Sequence, residues 1–144
     1  MTSPLDLLLV DIVHSYLDTA ASRTAGVPAA NVCALLKQDA DTDDIDPRLC
    51  VTAVEQGEGR VRQVNVSILA RGSMARSVSA PWLSAVWDRL ADRTAFFVHL
   101  ASLTVAQRSG WQLEEMTRPF AARIQREEGG VIESGVGLTF HLTV

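Results

Sequence analysis

The sequence predicts an α+β fold: a mostly antiparallel sheet of about four strands, with two helices packed on one face. The first indication is residues 60–71, where apolar and polar side chains alternate as they do along a half-buried strand. The second is residues 78–90, where apolar side chains recur at the three- and four-residue spacing of one helical face. A length of 144 residues suits one domain, which we place at residues 1–144.

The composition is that of an ordinary globular protein. Hydrophobic residues make up 47% of the chain and charged residues 21%, so neither disorder nor a fibrous class is indicated. The formal net charge is -4, and every one of the 13 basic residues except Lys37 is an arginine. Arginine suits planar contacts with carboxylates, so this balance favours protein interfaces over a surface that coats nucleic acid.

The first part of the chain predicts one helix and one short extended segment. Residues 3–6 have the Ser cap, the first-turn Pro and the early Asp that are typical of a helix start. An apolar stripe continues over residues 5–21, and Gly26 closes the helix. The polar side of this helix lacks the basic residues of a membrane-surface helix, so the stripe predicts core packing. Residues 31–37 are a short apolar run that we interpret as extended.

The middle of the chain predicts an antiparallel hairpin. Residues 49–55 alternate, and a Gly-rich turn at residues 56–59 leads directly into residues 60–71. After the helix at residues 78–90, the run at residues 95–105 has an aromatic start and a β-branched end. These features favour a strand buried on both faces over a helix.

The last part of the chain combines an irregular stretch with a clear strand. Residues 107–125 show no regular apolar spacing and contain Pro119, so we interpret them as a loop that could hold one helical turn. Residues 135–144 alternate apolar with small or polar side chains, which predicts a strand. We expect this strand to be paired inside the sheet, because a free hydrophobic edge promotes aggregation.

The apolar runs and the cysteines indicate a protein made and used in a cytoplasm. No apolar stretch approaches the roughly 20 residues that span a bilayer, and the apolar residues 5–10 follow no basic region of a signal peptide. We therefore expect no membrane partner. Cys33 and Cys50 lie in apolar surroundings without metal-site spacing, which predicts buried free thiols.

An acidic segment at residues 39–46 partly resembles a calcium-binding loop. Asp39, Asp41 and Asp43 alternate as in the first half of an EF-hand loop, and Asp44 follows them. The glycine at the sixth loop position and the glutamate at the twelfth are both missing. The sequence therefore predicts a solvated acidic loop in preference to an ion site.

No pattern in the sequence predicts catalysis. His14, His99 and His141 lie on three separate predicted elements, and none has the spacing of a metal site or of a nucleophile with its base. The Gly-x-Gly fragments at residues 57–59 and 135–137 do not lie between a strand and a helix, as a phosphate-binding loop would. We therefore predict no catalytic residue, no cofactor and no metal, and a protein that is not an enzyme.

Four arginines surround the predicted central strand: Arg60, Arg62, Arg71 and Arg76. They are the best candidates for contacts with nucleic acid. No aromatic residues are interleaved with them and the chain is acidic overall, so we favour a solvated edge or one that faces another subunit.

The order of the elements resembles that of the tail terminator proteins of long-tailed bacteriophages. Three stretches carry this resemblance, together with the N-terminal helix: Arg60-Val-Arg-Gln-Val-Asn-Val-Ser-Ile68, Trp82-Leu-Ser-Ala-Val-Trp-Asp-Arg-Leu90 and Gly137-Leu-Thr-Phe-His-Leu-Thr-Val144. The similarity covers roughly residues 5–144. That family is defined by size and pattern more than by invariant residues, so no functional residue is carried over by motif.

The resemblance implies an α+β subunit of the virion, assembled in the cytoplasm of the host bacterium. It implies a hexameric ring that caps the tail tube, stops its growth and joins it to the head connector, with DNA passing through the lumen. The expected partners are other copies of the chain, the tail tube protein and the head connector protein. The candidate interface residues are Arg60, Arg62, Arg71 and Arg76 with Asp39, Asp41, Asp43 and Asp44.

Two other classes of protein remain open. Another phage neck or head-completion protein would share the size, the ring and the lack of catalysis. A small ligand-binding or enzymatic α+β domain would need a concave pocket with convergent polar groups. Residues 111–120 are the part of the sequence where such a pocket could form.

Overall fold

The computed structural model describes residues 5–28, 35–37, 48–71, 76–104, 110–125 and 132–144. This part of the chain contains four helices and six strands, which confirms the predicted α+β class. The helices are α1 Leu5–Leu17, α2 Ala20–Ala25, α3 Arg76–Ala91 and α4 Arg93–Ser102. The strands are β1 Leu35–Lys37, β2 Arg48–Gln56, β3 Val61–Arg71, β4 Gln112–Met116, β5 Phe120–Gln125 and β6 Ile132–Thr143.

The strands form one mostly antiparallel sheet in the order β1-β2-β3-β6-β4, and β5 also pairs with β6. Only the β1–β2 pair is parallel among the described strands. β4 pairs with residues 140–143 of β6 and β5 with residues 132–137, so these two short strands follow one another along the same edge. The sheet is therefore five positions wide, one more than the predicted four.

The predicted hairpin of β2 and β3 is confirmed, and glycine allows its tight turn. The two strands pair without interruption from Arg48 opposite Arg71 to Gln56 opposite Gln63. Gly57 has φ 114°, and a Cβ at this position would lie 2.6 Å from the carbonyl oxygen of Val61. A side chain here would meet both backbone strain and a backbone clash.

One face of the sheet, which we call the core face, packs against the helices. Its side chains are almost inaccessible to solvent: Leu49, Val51, Ala53, Val64, Val66, Ile68, Met116, Val136, Leu138, Phe140 and Leu142. The buried apolar side chains of α1, α3 and α4 belong to the same hydrophobic cluster. The alternation predicted for β3 and β6 therefore marks the side of the sheet on which the helices pack.

The strand predicted at residues 95–105 is wrong, because Arg93–Ser102 is the helix α4. A nearly continuous apolar run does not separate a buried strand from a buried helix. The decisive signal is Asp92, whose side chain accepts a hydrogen bond of 3.1 Å from the backbone amide of Ala95. This contact is an N-cap, and it satisfies one of the free amides at the helix start.

The loop predicted at residues 107–125 is also wrong over its described part, which forms β4 and β5. The ladder shifts register between Leu113 and Glu115, so a β-bulge interrupts the two-residue period on which strand prediction depends. Pro119 lies in the link between the two strands, where no ladder hydrogen bond is needed from it.

Two helices were predicted, and the structure has four in its described residues. The first predicted helix is split, since α1 ends at Leu17 and Thr19 caps α2 by accepting a hydrogen bond of 3.2 Å from the amide of Ser22. The second additional helix is α4. Of the predicted extended segment, residues 35–37 form β1, and residues 31–34 lie outside the described residues.

Candidate functional site

The second face of the sheet, which we call the polar face, is formed by the alternate positions of the same strands. Its central side chains are Thr52, Gln63, Asn65, Ser67, Thr139 and His141. All of these are partly accessible except Thr139, which is 8% exposed. The buried apolar side chains of the described helices all belong to the core on the other face. Cys50 and Leu69, which are directly opposite one another on the same face, are 8% and 1% exposed, so the accessible part of the polar face is its centre and its turn end.

Hydrogen bonds between side chains order the centre of the polar face. The hydroxyl of Thr139 donates to Asn65 Oδ1 over 2.8 Å, and Gln63 Nε2 donates to the same oxygen over 3.4 Å. Asn65 and Thr139 are directly opposite one another in the β3–β6 ladder. These neutral groups offer donors and acceptors for recognition, but no general acid or base.

Exposed apolar side chains accompany these polar groups. Val54 is 60% exposed, Val61 69% and Phe120 43%. All three occupy positions of the polar face in the sheet register. The ring of Phe120 covers Gly137, where a Cβ would lie 2.7 Å from it. This mixture of neutral polar and isolated apolar side chains is typical of protein interfaces that can also exist exposed to water.

The four predicted interface arginines are divided between the two ends of β3. Arg60 and Arg62 lie at its turn end, whereas Arg71 ends the strand and Arg76 begins α3. Arg62 and Arg71 are about 30 Å apart along the strand, at about 3.3 Å per residue. The fold therefore separates these arginines into two pairs.

The two arginines of the turn-end pair, Arg60 and Arg62, differ in their contacts. Arg60 is exposed, and Arg62 Nη1 donates to the carbonyl oxygen of Gly57 over 2.6 Å. Arg62 Nε lies 3.6 Å from Glu55 Oε1, so this side chain also takes part in an ion pair of the hairpin. Arg60 is consequently the arginine of this pair that is available to a partner. Asp39, Asp41, Asp43 and Asp44 lie outside the described residues.

The helices bring together a serine and a histidine that are far apart in the sequence. Ser15 Oγ on α1 lies 2.8 Å from His99 Nε2 on α4. Sequence reasoning missed this pair, because it placed residue 99 in a strand. A Ser–His contact is the first requirement of a catalytic dyad, so its hydrogen-bond directions matter.

A second contact of Ser15 competes with the direction that catalysis needs. Ser15 Oγ also donates to the carbonyl oxygen of Ile12 over 2.8 Å, and a hydroxyl has only one proton to donate. With that proton on Ile12, the hydroxyl of Ser15 accepts from His99 Nε2, and the imidazole is not placed as its base. The pair links α1 to α4 as a structural contact.

Burial and charge act on two side chains of this contact region. Burial lowers the pKa of His99 below its ordinary value, and the guanidinium of Arg89 lowers it further. Burial also raises the pKa of Tyr16. The Tyr16 hydroxyl donates to the carbonyl oxygen of Arg89 over 2.6 Å, and the Arg89 guanidinium lies 4.7 Å from the centre of the Tyr16 ring. These contacts fasten α1 to α3.

A groove of about 500 Å³ lies where α3, α4 and the β4–β5 link meet. Its lining is Trp87, Leu90, Ala91, Arg93, Arg118 and Pro119. Arg118 and Pro119 fall within residues 111–120, the stretch in which we expected a pocket to be possible. Sequence reasoning did not associate that stretch with Trp87 or Arg93.

Neither a metal site nor a membrane-spanning helix is present in the described part of the chain. Within it, no three His, Cys, Asp or Glu side chains are grouped closely enough to hold a metal ion. Cys50 is buried and free, and Cys33 lies outside the described residues. No helix in the described ranges is long and apolar enough to cross a membrane.

Fold and surface together define a small α+β protein with helices on one face of its sheet and hydrogen-bonded polar side chains on the other. No protein-family model and no curated protein matches this chain.

Proposed function

We propose that this protein is a structural subunit of the virion of a long-tailed bacteriophage. In this proposal it acts as the tail terminators that it resembles: it forms a hexameric ring in the host cytoplasm, caps the tail tube and joins it to the head connector. The single observation that carries the proposal is the polar face, a broad sheet surface on which hydrogen-bonded neutral side chains lie beside exposed apolar ones.

The composition of the polar face supports an assembly role. Thr139 and Asn65 are already hydrogen-bonded to each other, so the surface costs little stability while it is exposed to water. Val54, Val61 and Phe120 supply apolar area that a partner can bury. A subunit that must fold first and assemble later needs both properties.

The two edges of the sheet support a ring in particular. A ring is closed by heterologous contacts, in which one surface of each subunit meets a different surface of the next. β1 lies at one edge of this sheet, and β4 with β5 lies at the opposite edge. The subunit therefore has two dissimilar sides that face in opposite directions.

Arg60 has a role in this proposal at the turn end of the sheet, where it faces either the lumen through which DNA passes or a neighbouring subunit. Its exposure supports this placement. A lumen position makes DNA retention depend on salt, because contacts with phosphates release counterions. A subunit contact instead makes the mass in solution depend on salt.

The test is the mass of the purified protein in solution, measured by light scattering over a range of concentration and salt. We expect a species of six subunits, visible as rings by electron microscopy. The substitution Val54→Arg places a charge on the polar face and should abolish the assembly. Val98→Arg is the matched control, because Val98 is also exposed, at 67%, but lies on α4. A monomer at every concentration, or equal effects of the two substitutions, would contradict the proposal.

A small ligand-binding domain is the second candidate, because the groove beside Trp87 is large enough for a small molecule. A thermal-shift screen with metabolites and divalent metals tests it. A clear rise in melting temperature that Trp87→Leu removes would favour this candidate over the ring.

A further inference from the structure

The groove beside Trp87, which we call the arginine groove, combines two guanidinium groups with an exposed aromatic ring. Trp87 is 38% exposed, and Arg93 and Arg118 are both exposed. Arg93 donates to the carbonyl oxygen of Met116, which fixes its side chain at the groove. A guanidinium has five N–H donors, so this single contact leaves others for a ligand.

No acidic side chain lines the groove among the described residues. Arg118 has no hydrogen-bond or ion-pair partner within the described ranges, although it is the second cation of the lining. Two nearby guanidinium groups bind carboxylates well, and the Trp87 ring offers an apolar surface beside them. The groove therefore suits a short acidic peptide that contains an apolar side chain.

The sequence of this chain contains such a peptide. Residues 39–46 carry five of the 17 acidic residues in eight positions, together with Ile45. We propose that the arginine groove binds the acidic segment, residues 39–46, of a neighbouring copy of this chain. The carboxylates meet Arg93 and Arg118, and Ile45 meets Trp87. This inference rests on the proposed ring and names a contact that holds it together.

The two ends of the acidic segment are anchored away from the groove of the same copy. Asp39 and Asp46 are each two residues from a strand, Lys37 of β1 and Arg48 of β2, and two residues reach at most about 7 Å. The link that lines the groove is three sheet positions from β2 and four from β1. At about 4.8 Å per position, this separation is about 14 to 19 Å.

The strands that anchor the segment and the link that lines the groove therefore lie toward opposite edges of the sheet. Helix α1 also packs on the β1–β2 side of the sheet. In a head-to-tail arrangement, the β1–β2 side of one subunit meets the β4–β5 side of the next. The acidic segment of one copy and the arginine groove of the other then come together, and each subunit uses both, as a closed ring requires.

Binding of a synthetic peptide tests the contact directly. The probe is a fluorescent peptide of residues 38–47, and the receptor is the full chain carrying D39N/D41N/D43N/D44N/D46N, whose own segment no longer competes. We expect saturable binding by anisotropy, a change in Trp87 emission, and weaker binding in high salt because the ion pairs are screened. A peptide with asparagine at all five aspartate positions should not bind.

Substitutions locate the binding site. Arg118→Glu should weaken binding at least about tenfold, a loss typical of breaking charge-assisted contacts. Trp87→Leu should abolish the emission change. Arg23→Glu is the matched control, since Arg23 is an exposed arginine of α2 outside the groove, and it should leave peptide binding unchanged. Circular dichroism verifies that each variant is folded, and Arg118→Gln gives a second test without charge reversal.

The outcomes separate this inference from the ring itself. Absence of peptide binding, or equal binding to the Arg118→Glu and Arg23→Glu variants, would overturn the inference even if six-subunit rings form. Groove-dependent binding by a protein that never forms rings would support the contact and contradict the proposed function. Groove-dependent binding together with loss of rings in the Arg118→Glu variant would support both.

Discussion

The two faces of one sheet differ in what they do, although neighbouring residues of the same strands form them. On β6, Phe140 is fully buried on the core face, while His141 beside it is only half-buried on the polar face. On β3, Val66 is fully buried while Asn65 and Ser67 remain partly accessible. The core face packs against the helices, whereas the centre of the polar face stays partly accessible to solvent.

The difference is energetic as well as geometric. Fully burying a large apolar side chain stabilises a protein by about 1.5–3 kcal/mol, whereas a typical hydrogen bond contributes about 1 kcal/mol. The core face has many residues of the first kind, and the polar face has few contacts of the second kind. Substitutions on the two faces should therefore separate stability from assembly.

The largest effect should come from Phe140→Ala. Phe140 is fully buried and its ring lies 5.6 Å from that of Phe96 on α4, so its truncation leaves a cavity between the sheet and the helices. We expect a loss of about 3–5 kcal/mol in the free energy of unfolding, measured by chemical denaturation. His141→Ala is the matched control on the polar face and should cost well under half as much. Equal losses would show that the two faces do not differ as described.

Two glycine substitutions with smaller expected effects on stability test whether every polar-face position of β6 tolerates a side chain. A Cβ at Gly135 would lie 2.3 Å from the backbone oxygen of Ile68, which cannot move without disturbing the ladder. We expect Gly135→Ala to cost about 1–3 kcal/mol, measured as the shift of the denaturation midpoint. At Gly137 the nearest atom is the edge of the Phe120 ring, which can rotate away. Gly137→Ala should therefore cost less, and the reverse order would contradict this description of the strand.

The smallest effect concerns pH and the helical layer. The pKa of His99 is lowered, so the unfolded chain binds a proton at higher pH than the folded chain does. The contribution of His99 to stability is fully present above its ordinary pKa of about 6.5 and is lost as the pH falls through the lowered value. Denaturation curves between pH 5 and pH 7 should show this slope, and His99→Gln should flatten it. An unchanged slope in that variant would assign the pH dependence to other groups.

The predictions from sequence were confirmed where apolar side chains recur with one clear period, either that of a strand or that of a helix. The hairpin of β2 and β3, the helix α3 and the strand β6 each alternate or repeat cleanly, and all three are present. They failed where the period was absent or interrupted. Apolar Phe97 and Val98 lie on the exposed side of α4 and obscure its helical period, and the bulge in β4 shifts the alternation by one residue.

The candidate site was predicted less completely than the fold. Arg60 and Arg62 were singled out, but their separation from Arg71 follows from the length of β3 and the path of the chain. The Ser15–His99 contact and the arginine groove join residues from different elements, and local patterns carry no information about such pairs.

Local sequence patterns were enough to predict an α+β domain with an acidic total charge and a half-buried central hairpin. They were enough because periodicity, turn residues and composition act over a few neighbouring positions. The folded structure adds three features: α4 is a helix, β4 and β5 share one edge of β6, and Trp87 and Arg118 line the same groove. These features depend on packing between distant parts of the chain, which minimises exposed apolar surface over the whole molecule.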